Sequence, residues 1–321
     1  MVQTAIRVSR QKQGTTARTE HDPHIHALTH DKVDDDALLG QFIPLHYHGQ
    51  MLAHQHRMLA FKEAITRRVP LGGRVLELGG GTGVMSYFAA QRASKVTCVE
   101  RIPHVANAAR QFLSANGVAD RVEVVEANAF DFLPNEPVDA VICEMLHVGL
   151  LREKQAPVID AFKRRYLDRF GGPLPIFIPE ASFLAVQPVQ HSFEFCGYRA
   201  PVPMFYEPTF AGEPTIGLTE PQVYAAFEYQ GDIPQSFEFE RILHMERAGT
   251  IDALRFITKN LVGIFEDEAA SADWYMQHLV MPLPTPIPVE AKQIVRIRFR
   301  YDAGDSLTFL SDSIDVRLWQ G

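Results

Sequence analysis

Between Arg74 and Glu144 the chain alternates short runs that are apolar on both faces with segments of helical period, and that alternation limits the fold more than any other feature. The pattern predicts strands over 74–78, 95–100, 122–126 and 138–144, with helices over 84–93 and 105–116 between them. Strands apolar on both faces and separated by helices belong in a parallel sheet with helices packed on it. The expected fold class is therefore α/β and doubly wound, of the Rossmann-like kind.

On either side the grammar changes. From 38 to 69 the pattern is helical throughout, with Met51, Leu52, Met58, Leu59, Ala60 and Ile65 recurring at three- and four-residue spacing until Pro70 and Gly72 stop it. Beyond Pro175 come alternating segments, SFLAVQPV, QVYAAFEY, SFEFERIL, WYMQHLVM, QIVRIRFRY and SLTFL, separated by Pro, Gly and Asp; these predict an antiparallel β domain. The proline-spaced MPLPTPIPV over 281–289 reads as an extended connector between two of its strands. Residues 1–36 show neither period, and His21, His24, His26 and His30 lie there without a frame to fix them, so a solvated tail is expected in preference to a metal site.

A chain of 321 residues, 46% hydrophobic, suffices for a catalytic domain and a second core. No apolar run reaches the roughly eighteen residues of a membrane helix, the first residues lack the apolar core of a signal peptide, and a cytoplasmic protein is expected. Net charge of -8 disfavours nucleic acid and suits a cationic substrate. Cys98 and Cys143 sit in apolar strand-like runs, where a thiol behaves as a small buried hydrophobe, so neither disulfides nor a metal site are expected.

The segment VLELGGGTG places Glu77 inside the first strand and Gly79, Gly81 and Gly83 in the turn that opens the next helix, four candidate ligand-binding residues. Glycines there let the backbone turn sharply and let a ligand come close. The second strand ends at Glu100, at the carboxyl edge of the sheet, where an acid can accept both hydroxyls of an adenosine ribose. At the end of the third strand Asn128 and Ala129 are placed to meet an adenine.

Residues 70–145 thus resemble the class I S-adenosylmethionine-dependent methyltransferases, whose first motif is an acid-x-G-x-G-x-G loop and whose second is the acid after strand two. Two further stretches resemble the arginine N-methyltransferases. In HGQMLAHQHRMLAFKEAI, His48, Met51, Arg57 and Phe61 match the helix that this family folds over its cofactor; Arg57 would grip the cofactor's carboxylate and Met51 would pack beside the sulfonium. In CEMLHVGLLRE, Glu144 and Glu153 match the family's double-glutamate loop, whose carboxylates hold a guanidinium by parallel hydrogen bonds. Trp274 resembles the tryptophan of the loop that closes over the substrate. The resemblance spans residues 38–320 and implies a cofactor domain over 37–176, a β-barrel substrate and dimerisation domain over 177–321, S-adenosyl-L-methionine as cofactor, and a homodimer paired through the segment 191–221.

Three departures concern the acceptor pocket. Asp273 stands where the family has a histidine before Trp274; Leu38 and Phe42 stand where it has tyrosines; and Met145, Leu146, His147 and Val148 replace an aromatic-glycine stretch, which puts His147 beside the site as a candidate base. The expected activity is methylation of a guanidino nitrogen, on arginine free or within a peptide or protein. The alternatives are methylation of another amine or hydroxyl of a small molecule, with Glu144 as anchor or base, and an inactive cofactor-binding partner subunit.

Overall fold

Runs apolar on both faces need helix packed against them, and the chain supplies it. In the computed structural model, which describes residues 45–208 and 215–319, five strands pair in parallel: β1 (Arg74–Leu78), β2 (Lys95–Glu100), β3 (Val122–Glu126), β4 (Ala140–Cys143) and β5 (Ile176–Ile178). Their order is β3–β2–β1–β4–β5. The chain steps outward from β1 to β3 and then returns to β1's other edge, so the crevice beyond the carboxyl ends of β1 and β4 is the topological switch point, where α/β sheets bind ligands. The His-rich tail, Leu38 and Phe42 lie outside the described residues.

The helical run before β1 is two helices, α1 (Leu45–Ala53) and α2 (Gln55–Arg68), not the single one the periodicity predicts. His54 breaks it, because its imidazole accepts the Arg57 N–H at 3.2 Å and caps α2. The remaining helices of this half are α3 (Val84–Ala89), α4 (Pro103–Ala115) and α5 (Gln155–Phe170). Pro103 starts α4 at a position that needs no N–H partner. Cys98 and Cys143 are fully buried, as their strands require.

The rest is antiparallel. β6 (Ala181–His191) is followed by a two-stranded hairpin, β7 (Glu194–Phe195) and β8 (Tyr198–Arg199), then by β9 (Met204–Tyr206), β10 (Thr215–Gly217), β11 (Gln222–Glu228) and β12 (Ser236–His244). β13 (Gly249–Phe265), β14 (Ala270–Tyr275), β15 (His278–Val289), β16 (Ile294–Asp302), helix α6 (Leu307–Ser313) and β17 (Asp315–Leu318) complete it. β13 is the spine of a seven-stranded sheet, pairing with β6, β14 and β15, while β12, β16 and β17 form a three-stranded one. One hydrophobic core runs through both halves, and the buried face of α2 (Phe61, Ala64, Ile65) packs on β13 and β14. Among the described residues no helix is long and apolar enough to cross a membrane.

Several strand expectations change here. SLTFL forms α6: Ser306 caps it by accepting the Phe309 N–H at 3.1 Å, and Leu307 and Leu310 meet the core at helical spacing. MPLPTPIPV belongs to β15 itself. The ladder with β13 runs through Pro282, changes register, and resumes at Ile287, which accommodates prolines that have no N–H to donate. Within WYMQHLVM the pairing passes from β14 to β15 at Met276 and Gln277, so Trp274 stands on a strand rather than in a loop. β13 escapes the sequence pattern because it buries Thr258 and Asn260, polar residues that interrupt the alternation. We expect Ser306→Ala to lower stability by about 1 kcal/mol, the usual worth of such a cap, measured by urea denaturation.

Candidate active site

The turn after β1 hangs from β2. Gly79 and Gly80 both donate to the carbonyl of Val99, at 3.0 and 2.8 Å, and Gly81 donates to a carboxylate oxygen of Glu100 at 2.8 Å. The other oxygen of Glu100 takes the Ile102 N–H at 2.8 Å, so Glu100 staples the loop to the end of β2. A carboxylate offers about four lone pairs, and each oxygen keeps one for a further donor. The two sides of the loop differ. A Cβ on Gly80 would strike Cys98 and one on Gly83 would strike Leu113, so these glycines serve packing. Gly79 (φ +75°) and Gly81 (φ +54°) back instead onto the movable ends of Met145 and His48, at 2.8 and 2.9 Å from where a Cβ would be. That side is a cradle closed by α1 and by the loop after β4. Burial holds the His48 imidazole below its ordinary pKa.

Glu77, a candidate cofactor residue in the sequence, is engaged by the helix that follows the loop. It is buried beneath the loop and accepts both the backbone N–H of Ser86, at 2.9 Å, and the Ser86 hydroxyl, so it anchors the first turn of α3. Burial pushes its carboxyl up to about 7.

The two acids of the following loop come together with Arg57. Glu144 sits just past β4 at the switch point, ion-paired with the Arg57 guanidinium; the same guanidinium donates to the Met51 carbonyl at 3.2 Å and lies 5.6 Å from the centre of the Trp274 ring. Trp274, buried in β14, meets His54 and Phe61 edge to face at 5.9 and 6.2 Å. Burial raises the carboxyl of Glu144 even against the pull of Arg57. Glu153 is pushed up to about 8, first by burial and then by the charge of Glu144, while Arg57 and Arg152 act the other way. Arg57 thus serves two half-buried acids, with Arg152 adding to its pull on Glu153.

The intervening loop is pinned to the antiparallel half. Gly149 donates to the Thr258 hydroxyl at 2.7 Å and accepts from the Tyr301 hydroxyl at 2.8 Å; Arg152 donates to the Asp305 carbonyl at 2.8 Å. His147 packs edge to face on Phe205 at 5.6 Å, and burial drives its pKa down to about 4. Asp273 turns the other way from Trp274 and pairs with Lys259 at 2.7 Å. Asn128 spends its side-chain oxygen on the Phe130 N–H at 3.1 Å, keeping its amide N–H groups, beside half-buried Ala129.

Residues 75–166 match a family model described as a methyltransferase domain. An uncharacterized protein of Methanothermobacter thermautotrophicus is 32% identical over 273 residues, which is 84% of this chain and 97% of that one. With the glycine cradle and Glu100, this decides the class. The chain belongs to the class I S-adenosylmethionine-dependent methyltransferases. The arginine N(omega)-methyltransferase of Streptomyces achromogenes is 31% identical over 134 residues, but these are 40% of this chain and 37% of that one. The structure of the Trypanosoma brucei PRMT1 enzyme–prozyme complex with AdoHcy shares the fold, with a TM-score of 0.64 at 18% identity over 84% of this methyltransferase and 96% of that chain. S-adenosylmethionine is the cofactor, and the residues present fit it: a cradle without side chains at Gly79 and Gly81, free lone pairs on Glu100, and a guanidinium at Arg57.

Two participants carried no signal in the methyltransferase sequence. Met145 covers Gly79, and Gln155, fully buried, hydrogen-bonds the peptides on both sides of Glu144. A buried glutamine in a first helical turn is the one clue, and it needs the burial to be known.

For Glu77, a folded-state pKa near 7 against an ordinary 4.5 means that the native state keeps a proton the unfolded chain gives up. That contribution to stability is full below about 4.5 and lost as pH rises through about 7. Glu77→Gln should therefore show less loss of stability than the parent across this window, by thermal melts at a series of pH values.

Proposed function

We propose that this methyltransferase transfers a methyl group to a guanidino nitrogen, of arginine free or within a peptide or protein. One observation carries the reading: Glu144 already holds a guanidinium, that of Arg57, while Glu153 beside it is half-buried and stays raised to about 8 despite the charges of Arg57 and Arg152. A second planar cation would supply what is missing, and the arginine methyltransferase named among the relatives supports the same acceptor.

S-adenosylmethionine, when bound, supplies a methyl group on a sulfonium, which a neutral nitrogen lone pair can attack without a metal. The chain's residues do the positioning. Arg57 would hold the cofactor's carboxylate, with His48 and Met51 over the cradle, Glu100 on the ribose, and Asn128 and Ala129 at the adenine. Glu144 and Glu153 would each take one edge of the acceptor guanidinium, drawing its positive charge towards the nitrogens they bind and leaving the remaining terminal nitrogen the better nucleophile. Trp274 and Phe61 keep water from the site, which strengthens both ion pairs. For the released proton, His147 near 4 is a poor base at neutral pH and Asp273 is engaged by Lys259. Glu153, near 8, is the better matched group.

The same reading places the cofactor domain at 37–176 and the acceptor and pairing domain at 177–321, in a cytoplasmic homodimer. The hairpin β7–β8, with Phe195 39% and Tyr198 71% exposed, supports pairing through the 191–221 segment.

Labelled cofactor offered with free arginine, simple guanidines, amines and an arginine-rich peptide, read by mass spectrometry, should place the methyl on a guanidino nitrogen. Methylation of amines or hydroxyls alone would overturn the proposal. Glu144→Gln and Glu153→Gln should each lower kcat by about 10²–10³, the scale of removing a charged group from a reacting centre, with cofactor Kd little changed. Because Glu153 must lose its proton to hold a cation, kcat/KM for the acceptor should rise with pH through the region near 8, and Glu153→Gln should abolish that limb.

A further inference from the structure

Gln155 opens α5, two residues after Glu153, and is fully buried. Its side-chain amide turns back on the end of β4. Nε2 donates to the Cys143 carbonyl at 2.6 Å, and Oε1 accepts the Met145 N–H at 2.8 Å. Those are the peptide groups immediately before and after Glu144. β4 ends at Cys143, so beyond it the ladder offers no partner strand; the glutamine amide takes the place of one. Left without it, a part-buried N–H and a buried C=O would lose their partner at the position that aims Glu144.

The Tyr229 phenol lies close enough to the same amide to feel it. Ser182 commits its single proton to the Asn260 side-chain oxygen at 2.7 Å, so Tyr229 donates to Ser182, 3.0 Å away. Asn260 is the cross-strand partner of Trp274. The phenol beside Gln155 is thereby tied to the sheet that carries Trp274 against Arg57.

We infer that Gln155 is a positioning residue: by binding both peptides that flank Glu144 from a backbone two residues beyond Glu153, it sets the separation of the two carboxylates. The inference rests on the proposed guanidinium clamp for its kinetic consequence, but not for its geometry. Gln155→Met keeps the volume and removes both bonds. It should reduce kcat/KM for the acceptor by about a hundredfold, as expected of a displacement near 1 Å, while cofactor Kd changes less than about twofold. In the free protein, the Glu153 carboxyl followed by carbon NMR should titrate about one unit lower than in the parent, because Glu144 no longer stands as close.

Val158→Ala, a core truncation one turn along α5, should lower Tm yet leave both the titration and kcat/KM within about twofold, as expected where the catalytic geometry is untouched. If Val158→Ala moves them as Gln155→Met does, the effect is general loosening and the inference fails. It fails also if Gln155→Met leaves the Glu153 titration where it was. Should the Met variant not fold, Gln155→Asn, too short to span both peptides, must shift the same titration or overturn the inference. An enzyme that methylates no guanidine would defeat the proposed function alone, since the titration in free protein still decides the role of Gln155.

Discussion

Two carboxylates and one guanidinium share a site from which water is largely excluded, and most of the surrounding structure serves to maintain that imbalance. In water Glu153 would ionise near its ordinary value and repel Glu144 weakly. Beneath the antiparallel half it is raised to about 8, chiefly by loss of solvent. On the proposed reading, a flat cation entering beside them would gain from both acids at once, and the low dielectric would make each contact stronger than at a surface.

The parallel sheet and the antiparallel sheets divide this work. The switch point between β1 and β4 puts Glu144 and the glycine loop at one crevice, and β13 and β14 supply the cover. Thr258 and Tyr301 grip Gly149 between the two acids, while Gln155 grips the peptides around the first of them. The loop is consequently held at its middle by groups far away along the chain, and at its start by the glutamine that follows its end. Arg57 occupies a third position in the same economy of charge: its partner in this structure is Glu144, and a carboxylate arriving with the cofactor would compete for it.

Local features of the fold were legible in the sequence. β2 and β3 fall where the apolar runs place them, and the Gly79–Gly83 turn sits between strand and helix, because such signals depend on neighbours a few residues apart. The misreadings share a cause. SLTFL alternates like a strand, yet Ser306 finds a backbone N–H to cap; His54 interrupts a helix by the same means; β13 hides its period because Thr258 and Asn260 are polar and buried for the sake of distant partners. Asp273 shows the limit at the site: its neighbour Trp274 faces Arg57, but strand alternation sends Asp273 to Lys259.

By itself, then, the sequence determined the doubly wound core, the glycine loop and the presence of two acids at the ends of one loop. These are properties of short-range period and residue type. Tertiary structure alone decided that Glu77 anchors α3, that Arg57 pairs with Glu144, that Glu153 is raised to about 8, and that Gln155 spans the peptides around Glu144. Charge, solvation and hydrogen-bond satisfaction act through space, and no spacing along the chain specifies which groups will be buried together.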